Sequence, residues 1–152
     1  MSSTRTTRRI NAPRVAVYRA LLDARAVAVW RVPNGMTSQV HEFDPQQGGA
    51  FRVSLTYDAP TGTGKTTAHT DTYRGTFVKL VPNEQVVEAI EFDTTDPELS
   101  GQMTITTTLT DAAGGTEVVV VHDGIPSKVS AADNETGTRM ALAKLAALVE
   151  AG

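Results

Sequence analysis

"TTAHTDTYRGTFVKLV", residues 66–81, decides the fold, because it follows and overlaps "APTGTGKT" (59–66), which has the look of a phosphate-binding loop. Such a loop wraps phosphates in backbone N–H groups, sends a Lys to the terminal phosphates and uses a Ser/Thr hydroxyl on Mg²⁺. Gly62, Gly64, Lys65 and Thr66 meet those demands, and Ala59 stands where the first Gly belongs. A candidate metal-binding partner lies downstream in "VVVVHD" (118–123), an apolar strand that closes on Asp123. The motif works only when its loop opens a helix inside a parallel sheet, and parallel strands need crossover helices between them. After Lys65 the chain is instead crowded with Thr and aromatic residues, which favour strands, and shows no amphipathic helical face. The Gly-rich stretch is therefore expected to be a hairpin connection, and nucleotide binding is not expected.

Outward from this point the signal is strand after strand, from about residue 36 to 122. "TSQVHEF" (37–43) turns through "DPQQGG" into "AFRVSLTY" (50–57), where Phe51, Val53, Leu55 and Tyr57 alternate with Arg52, Ser54 and Thr56. That two-residue period is the mark of a half-buried strand. "EQVVEAIEF" (84–92) follows a Pro82-Asn83 break. "QMTITTTLTD" (102–111) sets Met103, Ile105, Thr107 and Leu109 on one face and threonines on the other. On the same argument Tyr73 and Phe77 share a face, while Glu88, between Val87 and Ala89, is assigned to solvent with Ile90 near the sheet edge. Upstream, "STRTTRRINAP" (3–13) reads as a strand closed by a turn, followed by two short helices at about 13–22 and 24–30. Pro13 suits the first turn of the former. The last segment is helical from about 127 to 150, with Ala141, Leu145, Leu148 and Val149 as its stripe.

The expected architecture is α+β: a curved antiparallel sheet of about seven strands, two short helices after the first strand, and one long C-terminal helix over the sheet. Antiparallel strands need one apolar face covered, and the C-terminal helix is the large cover available. Its many alanines leave volume beneath it, and concave apolar spaces are where ligands bind. The competing expectation is that side chains fill the space.

The chain has 152 residues, a formal net charge of −3 and no cysteine. This fits one domain spanning 1–152 and excludes disulfides, thiolate metal sites and a catalytic thiol. No clustered basic face marks a nucleic-acid partner, since alternation splits "RTTRR" (5–9) between two strand faces. The N-terminal stretch lacks the apolar core of a signal peptide, and no apolar run reaches membrane-span length, so a cytoplasmic location without membrane insertion is expected.

Several blocks together resemble a known superfamily: "NAPRVAVYRALLDARAVAVW" (11–30), "HEFDPQQGG" (41–49), "YRGTFVKLVPNEQVVEAIEF" (73–92), "GGTEVVVVHDGIP" (114–126) and "NETGTRMALAKLAALVE" (134–150). Their order and spacing resemble the SRPBCC (START-like, Bet v 1-like) superfamily and, within it, the heat-shock-protein-90 ATPase-activator-homologue-like group. The resemblance implies a helix-grip fold with a deep hydrophobic cavity under the C-terminal helix. It covers lipid and polyketide binders, aromatase/cyclase enzymes and co-chaperones. One departure stands out: the family's usual Gly-Trp is Gly137-Thr138 here, which implies a larger pocket or an altered mouth.

The candidate ligand-binding residues are Trp30, Phe51, Val53, Leu55, Tyr57, Tyr73, Phe77, Met103, Ile105, His122, Thr138 and Ala141. Trp30 reads equally as a core anchor and as the family's tryptophan at the cavity mouth. The strand residues read equally as core and as cavity wall. Tyr73 is the stronger polar candidate, because a buried phenol needs a hydrogen-bond partner. Of the three histidines, His69 and Asp71 form "HTD" on one strand face, and His122 sits beside Asp123. A His₂–carboxylate site from His69, Asp71 and His122 lacks any recognised ligand spacing, so neither a metal nor a cofactor is expected. No nucleophile elbow exists for acyl transfer. The favoured expectation is a small hydrophobic or amphipathic molecule held in the internal cavity. The alternatives are a cyclase/aromatase or hydrolase using Tyr73, His69 and Asp71 for proton transfer, and a co-chaperone-like stress-response module. A homodimer is one option for the assembly.

Overall fold

The computed structural model describes residues 2–57, 70–94, 96, 97 and 99–151. The chain runs β1 (Ser2–Ile10), α1 (Arg14–Leu21), α2 (Ala24–Trp30), β2 (Met36–Phe43), β3 (Ala50–Tyr57), β4 (Thr70–Val81), β5 (Gln85–Phe92), β6 (Met103–Ala112), β7 (Gly115–Ile125) and α3 (Ala131–Ala151). The seven strands form one curved sheet in the order β1-β7-β6-β5-β4-β3-β2, every neighbouring pair antiparallel. With the two short helices after β1 and the long one at the end, this is the helix-grip architecture. No helix among the described residues is long and apolar enough to cross a membrane.

The period-two reading holds in β6. In β6 Met103, Ile105, Thr107 and Leu109 are buried, and the threonines between them face the other way or are exposed. The turn after β4 uses Asn83 at φ 62°, a conformation an asparagine tolerates better than most residues. In mid-strand, Gly75 has no room for a side chain: a Cβ there would meet the Ala89 carbonyl oxygen at 2.1 Å and Phe51 Cζ at 2.8 Å. The Phe51 ring occupies that space, 5.0 Å from the Phe77 ring and 6.2 Å from Tyr73.

Helix α2 is capped by Asp23, whose carboxylate accepts the Arg25 N–H. Helix α3 starts at residue 131, four later than the sequence suggests, where the Ser130 hydroxyl accepts the Asp133 N–H. Its inner stripe is Thr138, Leu142, Leu145 and Ala146. The expected stripe is corrected at one end: Leu148 is 37% exposed, and Val149 packs against the core from the margin. In an alanine-rich helix the polar and apolar sides differ little, so the phase of the stripe is poorly marked in sequence.

The Gly-rich stretch lies outside the described residues, but the strands on either side of it do not. Thr56 pairs with Thr70 as β3 and β4 run antiparallel, so the stretch joins neighbouring hairpin strands, with β4 beginning five residues after Lys65. A phosphate loop needs the opposite topology. Mg²⁺-ATP should therefore produce no saturable thermal shift. A shift that vanishes in Lys65→Ala would contradict this topology argument.

Candidate functional site

Between the sheet and α3 lies a cavity of about 430 Å³. Its wall is mostly apolar: Leu21 and Trp30 from the helix pair, Leu55, Val86, Ile90, Met103, Ile105 and Val120 from the sheet, Ala141 and Leu142 from α3. Trp30 serves both roles open to it, since its indole N–H donates to the Ala20 carbonyl at 3.0 Å while the ring faces the space. Of the sequence candidates, Trp30, Leu55, Tyr57, Tyr73, Met103, Ile105, His122, Thr138 and Ala141 come together around this cavity. Phe51, Val53 and Phe77 do not. They form solid core beneath β3 and β4, at most 2% exposed, with the Phe43 and Phe77 rings edge to face at 5.5 Å. Alternation gives the face a residue occupies, not whether that end of the face is packed or hollow.

The polar lining departs most from expectation. Glu88, assigned to solvent by alternation, is 5% exposed and faces the cavity between Val86 and Ile90, on a central strand. Its carboxylate takes the Arg31 guanidinium at 2.6 Å, from the residue just past the end of α2. Burial alone would lower the pKa of that guanidinium, but the Glu88 carboxylate, with a smaller contribution from Tyr73, outweighs it and raises it, so the charge is secure. Arg31 also lies over the Tyr73 ring, 5.5 Å from its centre. Tyr73 is 6% exposed, and its hydroxyl has no hydrogen-bond partner among the described residues. Burial pushes the phenol pKa up, against the opposing pull of Arg31, so it stays a neutral donor. Asp71 lines the same wall and is 3% exposed.

On the α3 side, Thr4 Oγ1 donates to Asn134 Oδ1 at 2.7 Å, which turns the amide nitrogen towards His122 Nδ1 at 3.2 Å. That nitrogen therefore accepts, and the ring proton sits on Nε2. The Nε2–H faces Thr138 Oγ1 at a long 3.5 Å, while the threonine's own proton goes to the Asn134 carbonyl at 2.9 Å. Thr138 thus forms part of the wall beside the histidine. Burial first, and the positive charge of Arg31 second, lower His122 to about 4.

A depressed histidine makes the unfolded chain the better proton binder between the two pKa values. Stability should be fullest above about pH 6.5 and fall as pH drops towards 4, by on the order of 3 kcal/mol from this group. Denaturant midpoints at pH 7 and pH 5 should show the fall, and His122→Gln should flatten it. An unchanged slope would contradict the assignment.

His69 lies outside the described residues, so the proposed His69–Asp71 pairing is not placed. Among the described residues no group of His, Asp and Glu is arranged to hold a metal ion. The signal for Glu88 was present in the sequence: an acid in phase with Val86 and Ile90 implies a buried charge that needs a cation. Arg31 carried none, because a residue just past a helix end has no periodic assignment.

Residues 11–150 match the family described as activator of Hsp90 ATPase homolog 1-like protein. A crystal structure of a protein from Chromobacterium violaceum is 33% identical, with a TM-score of 0.88, covering 97% of this chain and 96% of the other. A Rhodobacter sphaeroides protein is 19% identical with a TM-score of 0.80, covering 99% and 93%. An Aeromonas hydrophila protein of the same family description, solved by NMR, is 18% identical with a TM-score of 0.74, covering 99% and 93%. Among curated proteins, none matches this chain. With the family match spanning nearly all of a helix-grip chain, the protein belongs to the activator-of-Hsp90-ATPase-homolog-1-like family of the SRPBCC superfamily.

Proposed function

We propose that the protein binds one small, largely apolar molecule in the space between the sheet and α3. The observation that carries this reading is the cavity itself, about 430 Å³ between the sheet and α3 with a mostly apolar lining and a few polar groups. Ligand sites typically span about 300 to 1,000 Å³, with an apolar lining and a few placed polar groups. Flat aromatic or medium-chain acyl compounds should raise the melting temperature, whereas sugars, nucleotides and polar amino acids should not. Native mass spectrometry of freshly purified protein should show a co-purifying small molecule. Ala141→Phe places a ring in the cavity and should abolish binding without unfolding the chain. If no apolar compound shifts the protein and nothing co-purifies, the binding reading fails.

An enzyme reading draws on a specific observation, the convergence of Tyr73, the Arg31–Glu88 pair and His122 on one cavity. Tyr73 or His122 would be the proton-transfer group, and His122 stays neutral at neutral pH. Chemical change in a captured ligand on incubation with the wild type, absent with Tyr73→Phe, would favour this reading over simple binding.

A further inference from the structure

The side chain of Tyr73 lines the cavity, and its hydroxyl is a buried donor that lacks a partner among the described residues. A buried hydroxyl left unpaired is costly, and a ligand that accepts its proton removes that cost. The charges around it decide what kind of acceptor fits. Among the described lining residues Arg31 is the lone permanent cation, and it is committed to Glu88 at 2.6 Å. Three carboxylates line the wall, those of Glu88, Asp71 and Asp133, the last on the exposed rim. A ligand carboxylate would have to take Arg31 from Glu88 and leave that acid buried and unpaired. A ligand ammonium would meet the guanidinium held over the Tyr73 ring, 5.5 Å away. Farther along the same sheet, β7 adds the Nε2–H of His122, only weakly engaged by Thr138 at 3.5 Å, which is again a neutral donor.

We infer that the ligand carries an uncharged hydrogen-bond acceptor of the ketone, ester or amide type, received by the Tyr73 hydroxyl, on an otherwise apolar body. This rests on the cavity-binding reading and sharpens it to a class of ligand. The affinity of four compounds sharing a naphthalene body tests it by calorimetry: methyl naphthyl ketone, naphthoate, naphthylmethylamine and ethylnaphthalene. The ketone should bind roughly tenfold more tightly than the hydrocarbon, and the two charged compounds more weakly than the ketone. In Tyr73→Phe the ketone should fall to parity with the hydrocarbon, whose unchanged affinity also shows that the cavity is still formed. If naphthoate or the amine binds best, or if Tyr73→Phe leaves the ketone's advantage intact, the inference is wrong while the cavity reading stands. Equal affinity for all four has the same meaning. If none of the four binds, the cavity reading falls and takes the inference with it.

Discussion

Glu88→Gln should destabilise the protein by about 3 kcal/mol, the low end of the range for breaking a buried ion pair. The low end applies because Arg31 keeps 20% of its side-chain surface exposed, while Glu88 keeps 7%. The substitution preserves shape and removes the charge that holds Arg31, whose guanidinium is then left among Tyr73 and the apolar wall. Denaturant unfolding measures the cost directly. The double variant Arg31→Met with Glu88→Leu should recover most of the loss, since a well-packed apolar pair often equals or exceeds a buried ionic one. If Glu88→Gln costs no more than a surface pair, below about 1 kcal/mol, then the pair is solvated and the cavity is not as dry as its walls imply. If the double variant is as stable as the wild type yet loses ligand selectivity, the pair serves recognition more than stability.

Leu145→Ala should cost about 3 to 4 kcal/mol, the larger of two contrasting results within α3. Leu145 is fully buried in solid core, so truncation removes apolar contact and opens a new void. Leu142 is nearly as buried at 2% exposed, but its side chain borders the existing cavity. Leu142→Ala enlarges a space already present and should cost distinctly less. Leu148→Ala on the outer side should stay within about 0.5 kcal/mol. Equal losses at 142 and 145 would mean that the cavity collapses around the smaller side chain, which unfolding midpoints and ligand capacity together would show.

The sheet and its direction were legible because alternation in β3 and β6 is nearly uninterrupted, and because the residues after Lys65 are poor helix formers. The cavity was legible as a consequence of small residues on α3, yet its limits were not. Phe51, Val53 and Phe77 share a face with Tyr73, but the space Gly75 leaves is taken by the Phe51 ring, and that end is solid. Period alone is blind to such close approaches. Glu88 was misplaced because its alternation was read against Val87 and Ala89, whereas its phase is that of the buried Val86 and Ile90, a burial possible because a guanidinium reaches it. That guanidinium comes from 57 positions away, beyond any local pattern.

The pairing of β1 with β7 has a consequence for the chain while it is being made. Thr6 lies opposite Val120, and the Thr116 hydroxyl binds the Ala12 carbonyl across 104 positions. Strands β2 to β7 can zip as successive hairpins, whereas β1 must wait for a distant partner, and closing so long a loop is slow. At ribosomal speeds that wait is on the order of ten seconds. During it, β1 is an unpaired strand, the kind of edge that seeds aggregation. Its composition suits the delay: Ser2, Ser3, Thr4, Thr6 and Thr7 with Arg5, Arg8 and Arg9 leave Ile10 as its large apolar side chain. Charge and hydroxyls keep such a strand from sticking to its neighbours on other nascent chains, and β7 then supplies the partner it was built to meet.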